Sequence, residues 1–190
     1  MAAYVAGNGM SRKVIPLDKV KSKGVLYGCN AIYKEITPDV LVATDPGPAH
    51  AIQMMGYARE HVFYTRKPYS NYGAKKLKEL YAGWSSGPNA IQLAILDGHT
   101  EIYLFGFDFG SRSGSYNNIF AGHEFYNQIG SVPTYGGNWV HQVKSVLTHN
   151  KNIQFYIVVG HETAEIAQFC MFKNLKILTT DEFLKHINNV

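Results

Sequence analysis

Short apolar runs alternate with helical patterns along this chain. Apolar residues gather at 4–6, 24–29, 40–44, 61–64, 102–107, 153–159 and 175–178, which predicts strands there. Helices are predicted between them at 49–59, 88–96, 138–148, 162–172 and 180–187. Shorter helical pieces are expected before Lys21 and at 74–81. The run 88–96 has the fullest set of helix signals. Pro88 sits in the first turn, where a missing N–H costs nothing. Ile91, Ala94 and Ile95 share one face at i, i+3 and i+4, and Gly98 follows as a stop. The run 102–107 is almost wholly apolar, as a strand covered on both faces requires.

Strands alternating with helices at this spacing imply parallel β-α-β units. Right-handed crossovers then give a Rossmann-like, doubly wound α/β fold, with helices on both faces of a mostly parallel sheet. The 190 residues suffice for one full hydrophobic core. No repeat, linker or low-complexity tract divides residues 1–190, so a single domain is expected. The segment 110–137 lacks any regular pattern and directly follows the strand at 102–107. Loops of that length in a compact domain are usually binding loops or lids.

Composition adds less. An apolar fraction of 46% with 17% charged residues is that of a globular protein. The net charge of +4 suits an anionic ligand but is too small to indicate nucleic acid. Arg66, Lys67, Lys75, Lys76 and Lys78 are interleaved with Tyr64, Tyr69 and Tyr72. A solvated loop and helix face is the favoured reading of that stretch, and a surface for nucleic acid or sugar is the alternative. Cys29 and Cys170 have no metal-ligand spacing and are expected to be small buried hydrophobes in a reducing, cytoplasmic compartment. No apolar run approaches the length of a membrane span. A homo-oligomer is left open.

In a doubly wound sheet, ligands bind outside the carboxyl ends of the strands. Five such ends carry chemistry. Gly7-Asn8-Gly9 can bring backbone N–H groups to a phosphate, or be a plain tight turn. Asn30 can read a base or ribose, or cap a turn. Asp45 can open the turn before Pro46. Ser85-Ser86-Gly87 at a helix start is an anion site or an ordinary cap. Gly106 and Asp108 can meet a ligand hydroxyl, with the carboxylate as acceptor or general base. No zinc or iron spacing, Gly-x-Ser-x-Gly elbow or Walker A sequence is present, and no bound metal is expected. His50, His61, His99, His149, His161 and His186 fall at element edges without nameable partners.

Several of these motifs together resemble a known family. AGNG followed by Ser11, the pair Cys29-Asn30, SSG at 85–87, A-x-x-x-G-x-x-x-I-Y-L-x-G-x-D-F from Ala94 to Phe109, and Tyr116 in GSY look like the bacterial sialyltransferases of the CstII type. The segment PDVLVATDP at 38–46 also resembles MptE-like proteins, which include pyrophosphokinases and glycosyltransferases. The resemblance covers roughly 1–116. It implies a Rossmann-like, metal-independent, inverting glycosyltransferase. The donor would be a nucleotide-sugar, CMP-linked, acting as substrate rather than cofactor, and the acceptor is unknown.

Carried over by residue, Asn8, Gly9 and Ser11 would lie at the phosphates or ribose. Asn30, Ser85, Ser86 and Gly87 would lie at the donor's sugar and phosphate, and Gly106, Asp108 and Phe109 at the nucleoside. Tyr116 would stabilise the leaving phosphate. The chain departs from the family at two places. Gly110 stands where the family has a second tyrosine, and the family's Gly-His pair falls at Tyr135 or Gly136. His141 and His123 are therefore the candidates for the base. The alternatives are ATP-dependent pyrophosphoryl transfer and a non-catalytic nucleotide-binding module.

Overall fold

The computed structural model describes residues 1–79, 82–133 and 136–189. Its strands are β1 (Ala3–Ala6), β2 (Val25–Cys29), β3 (Val40–Ala43), β4 (Phe63–Thr65), β5 (Lys75–Lys76), β6 (Glu101–Phe105), β7 (Gln154–Val159) and β8 (Leu175–Thr179). They form one sheet in the order β5-β4-β3-β2-β1-β6-β7-β8, and every pair is parallel. The α-helices are α1 (Leu17–Lys23), α2 (Pro46–Met54), α3 (Ser86–Leu96), α4 (Gly136–His149) and α5 (Thr180–Asn188). The chain starts mid-sheet, winds outward to β5, returns to β6 beside β1, and winds outward again to β8. Winding thus reverses between β1 and β6, and a ligand crevice is expected outside their carboxyl ends.

Alternate residues of each strand enter opposite cores, as a pleated strand covered on both sides demands. Val5, Cys29, Val42 and Leu104 pack with Ile91 and Ala94 of α3 and Val143 and Leu147 of α4. Tyr4, Leu26, Leu41 and Phe105 face the other way and pack with Val20 of α1, Ile52 of α2 and Phe183 and Ile187 of α5. The rings of Tyr4, Tyr103 and Tyr156 stack across β1, β6 and β7, with centroids 5.1 and 4.4 Å apart.

The elements differ from expectation where a local bond or a proline decides. Helix α2 begins three residues before 49, because Pro46 and Pro48 fall in its first turn, where their fixed φ is helical. It stops before Gly56, whose φ is +78°. A short 3-10 turn, Tyr57–Arg59, follows it. The helix expected at 74–81 is instead the two-residue edge strand β5, and Leu80 and Tyr81 lie outside the described residues. Lysines on an outermost strand discourage further pairing. The helix expected at 162–172 is reduced to the 3-10 turn Ala167–Met171. Its first residues are drawn away by Asp108, which accepts from the Thr163 hydroxyl and whose carbonyl accepts from the Ala164 N–H. Cys170 is consequently exposed, whereas Cys29 is buried as expected. Helix α5 carries a full capping box, in which Thr179 and Glu182 bond each other's backbone N–H. No described helix is long and apolar enough to cross a membrane.

Candidate functional site

The turns that leave β1 and β6 are zipped together. Gly7 N–H donates to the Phe105 carbonyl at 2.8 Å, and Gly9 N–H to the Gly106 carbonyl at 2.9 Å. A Cβ on Gly7 would stand 2.4 Å from the Gly106 oxygen, so the approach requires glycine. Gly106 has a φ of +70°, which ends the strand and turns the chain toward Asp108.

Buried Arg12 fixes the same turn from beneath. Its Nε donates to the Gly7 carbonyl at 2.8 Å and its Nη2 to Asn8 Oδ1 at 3.1 Å. Nη1 meets Glu35 Oε2 at 2.8 Å. Asn8 passes the constraint on, since its Nδ2 donates to the Cys29 carbonyl at 2.9 Å. The ends of β1 and β2 are thereby held in register.

Above these turns opens a cleft of about 400 Å³. That lies within the usual range for small-ligand sites. Its floor is Gly7, Asn8, Gly9, Cys29, Asn30 and Gly106. One wall is the start of α3, Ser85-Ser86-Gly87, with Trp139 and Val143 of α4 behind it. Asp45 and Pro48 at the start of α2 form another side, and Tyr116, Phe125, Tyr126 and Asn127 of the loop after β6 complete the lining. That loop is tied to the floor by Ile119 N–H to the Asn8 carbonyl at 2.8 Å and by Met10 N–H to Asn117 Oδ1 at 2.7 Å.

The α3 end is built to keep its dipole open. Ser85 is the N-cap, yet its side chain makes no capping bond. Its hydroxyl accepts instead from Trp139 Nε1 at 3.1 Å, and its N–H donates to Gln142 Oε1 at 2.9 Å. The Ser86 hydroxyl donates to Asn30 Oδ1 at 2.9 Å. The first N–H groups of a helix have no partner within it, and here they border a cleft. A Cβ on Gly87 would lie 2.9 Å from the Phe107 ring, so glycine lets α3 sit close to the end of β6.

Arg66 clamps this corner. It donates to the carbonyls of Thr44 and Trp84 and to Glu79 Oε1, the last at 2.8 Å. Of the basic stretch, Lys75 also stands 5.5 Å above the Tyr64 ring, while Lys67, Lys76 and Lys78 are exposed.

The phenols over the cleft are kept protonated. Burial raises the Tyr116 pKa; a backbone hydrogen bond from Asn127 works against this, and the Asp45 charge adds to it. Burial raises Tyr126 further, opposed by its bond from the Ala31 N–H. The Cys29 thiol is pushed up to about 12 by burial.

No family model matches the chain, and no curated protein does. Among solved structures, the fold is similar to that in the crystal structure of the sialyltransferase CST-II in complex with trisaccharide acceptor and CMP. The likeness covers 100% of both chains at 13% identity, with a TM-score of 0.49. It is a likeness of fold.

Asn8, Gly9, Asn30, Ser85, Ser86, Gly87, Gly106, Asp108, Phe109 and Tyr116, all expected near a ligand, line the one cleft. Three other candidates do not. Ser11 is buried beneath it, where its N–H donates to Asp108 Oδ2 at 2.9 Å. His123 is exposed on the loop, its ring against Phe120. His141 is exposed on α4, two residues from both Trp139 and Val143. At 100° per residue, that spacing turns it away from the face those two present. Neither histidine belongs to the described lining of the cleft. Tyr135 lies outside the described residues.

Asp108 lines the cleft and is also bonded within the fold. It is only 4% exposed. Its second oxygen accepts from the Thr163 hydroxyl at 3.0 Å. Sequence reasoning missed Phe107, Tyr126, Trp139 and Arg12. Phe107 lies inside the quoted motif, between Gly106 and Asp108. The other three become visible only once the loop, α4 and the first turn are packed together. Among the described residues, no group of three or more His, Cys, Asp or Glu side chains is placed to hold a metal ion.

Proposed function

We propose that the cleft binds a nucleotide-sugar and that the protein transfers the sugar to an acceptor hydroxyl by direct, inverting displacement without a bound metal. The observation that carries this reading is the pairing of two features in one cleft at the β1/β6 reversal. The open N-terminus of α3 offers N–H donors and a positive dipole to a phosphate, and the phenols of Tyr116 and Tyr126 stand over the same space as hydrogen-bond donors. Protonated phenols stabilise negative charge on a departing phosphate. Phe107, Phe109 and Trp139 supply aromatic surface for a base. A CMP-linked donor follows from the sequence resemblance around 94–109.

The second reading is a nucleotide-binding module without turnover, favoured by the absence of any of the eight histidines from the described lining. Calorimetric titration with CMP, UDP, ADP and GDP tests both. Binding of CMP before the others is the expected result, and no binding by any of the four overturns both. ATP binding that requires magnesium would replace them with pyrophosphoryl transfer.

A further inference from the structure

An acceptor hydroxyl must lose its proton as it attacks, and the expected histidines stand outside the cleft. The described lining holds five groups able to take a proton: Cys29, Asp45, Asp108, Tyr116 and Tyr126. Four are unsuited. Cys29 is buried and its thiol is held protonated. Tyr116 and Tyr126 are held protonated in the same way and serve as donors. Asp108 is buried, with its oxygens bonded to Ser11 and Thr163.

Asp45 differs on each count. It stands at the carboxyl end of β3, in the N-cap position of α2, and its side chain makes no capping bond there. It is exposed and lines the cleft. It shares that lining with Tyr116 and Tyr126. No Lys, Arg or His belongs to the described lining to neutralise it. An N-cap aspartate normally spends its oxygens on the helix N–H groups. Here Pro46 and Pro48 take N–H groups away from the first turn of α2, and the uncapped carboxylate belongs to a residue that lines the cleft.

We propose that Asp45 is the general base of the transfer, a step that rests on the nucleotide-sugar reading above. The acceptor O–H gives its proton to the Asp45 carboxylate. The acceptor oxygen forms the new bond to the anomeric carbon, and the bond from that carbon to the phosphate oxygen breaks. Its electron pair leaves with the nucleotide, whose new charge the Tyr116 and Tyr126 hydroxyls meet as hydrogen-bond donors. The Asp45 proton then passes to water.

The full chain is assayed with CMP-sialic acid, UDP-glucose, UDP-N-acetylglucosamine and GDP-mannose, with water as acceptor, and released nucleotide is measured. In parallel, CMP, UDP and GDP are titrated, which also shows that each variant keeps its site. Asp45→Asn is expected to lower kcat about 100-fold or more while nucleotide affinity stays within about threefold. Asp45→Glu should restore part of the rate, and His123→Ala and His141→Ala should match the parent. Turnover by Asp45→Asn equal to the parent overturns the proposal. So does loss of turnover in either histidine variant, or nucleotide binding by the parent with no donor cleaved. Failure of every nucleotide to bind overturns the nucleotide-sugar reading itself, and the proposal with it.

Discussion

The hydroxyl of Ser86 donates to the side-chain oxygen of Asn30 at 2.9 Å, which joins the end of β2 to the first residue of α3. The same hydroxyl oxygen accepts from the Thr44 N–H at 3.0 Å and lies 3.0 Å from the Thr44 hydroxyl. One side chain thus ties the turns after β2 and β3 to the helix end that faces the cleft. Asn30 is held there at a φ of +50°, a conformation that asparagine tolerates better than most residues. Ser86→Ala should leave the buried Thr44 N–H without a partner and cost about 2–3 kcal/mol. Urea unfolding measures the loss. Nucleotide affinity should fall alongside it, because Asn30 and the α3 N-terminus lose their common tie.

Asp108 makes a parallel prediction. Its carboxylate holds the Ser11 N–H and the Thr163 hydroxyl, so it binds the first turn to the segment after β7. Asp108→Ala leaves the buried Ser11 N–H unpaired and should cost about 3 kcal/mol, at the upper end for a lost buried partner. Thr163→Val should cost less, about 1–2 kcal/mol, although the Gly160 N–H also loses its acceptor. The two changes share one bond, so the double variant should lose less than the sum. Additive losses would show that the bond carries no energy.

The sheet was legible because its signals are local. Runs such as 40–43 and 155–159 are apolar throughout, and 88–96 carries its own start, face and stop. The site was partly legible for the same reason: strand ends such as Gly7-Asn8-Gly9 and Ser85-Ser86-Gly87 announce themselves. What the sequence hid depends on packing between distant segments. The helix expected at 162–172 is undone by Asp108, more than fifty residues earlier, whose link to Thr163 spans 55 positions. Arg12 carries no signal in the sequence, and only the fold surrounds it with Glu35, Gly7 and Asn8. The side of α4 on which His141 sits likewise becomes visible only with the packing of that helix, where it is exposed.

Gly9 offers a steric test of the floor. Its φ of −65° is ordinary, so only space forbids a side chain. A Cβ there would lie 2.5 Å from the Asp108 carboxyl carbon and 2.7 Å from the Gly106 carbonyl oxygen. Gly9→Ala should therefore destabilise the fold by about 1–3 kcal/mol, as overpacking does, and weaken nucleotide binding. Gly98→Ala is the contrast. Its φ is +90° but nothing lies within 4 Å of the added Cβ, so it should lower the melting temperature and leave binding unchanged. Equal binding by Gly9→Ala and the parent would detach this turn from the site.

Alkaline stability draws on every phenol and thiol that burial keeps protonated, Tyr57 and Cys29 among them. Burial pushes the Tyr57 phenol from 10.0 up to about 12, and the Cys29 thiol from 9.0 up to about 12. Both groups hold their protons more tightly in the folded chain than in the unfolded one. The unfolded chain therefore releases them first as pH rises, and unfolding is favoured. The contribution is complete below about pH 9 for Cys29 and below 10 for Tyr57, and is lost as pH climbs through about 12. Denaturant midpoints should thus decline from pH 9 toward 12. The Tyr57 hydroxyl is buried and has no hydrogen-bond partner among the described residues. Tyr57→Phe removes a polar group that gains nothing from burial and should raise stability at neutral pH by about 1 kcal/mol. It should also flatten the decline above pH 10, since the ring then has no proton to lose. A variant less stable than the parent at pH 7, with an unchanged alkaline slope, would show that this hydroxyl is neither strained by burial nor responsible for the loss.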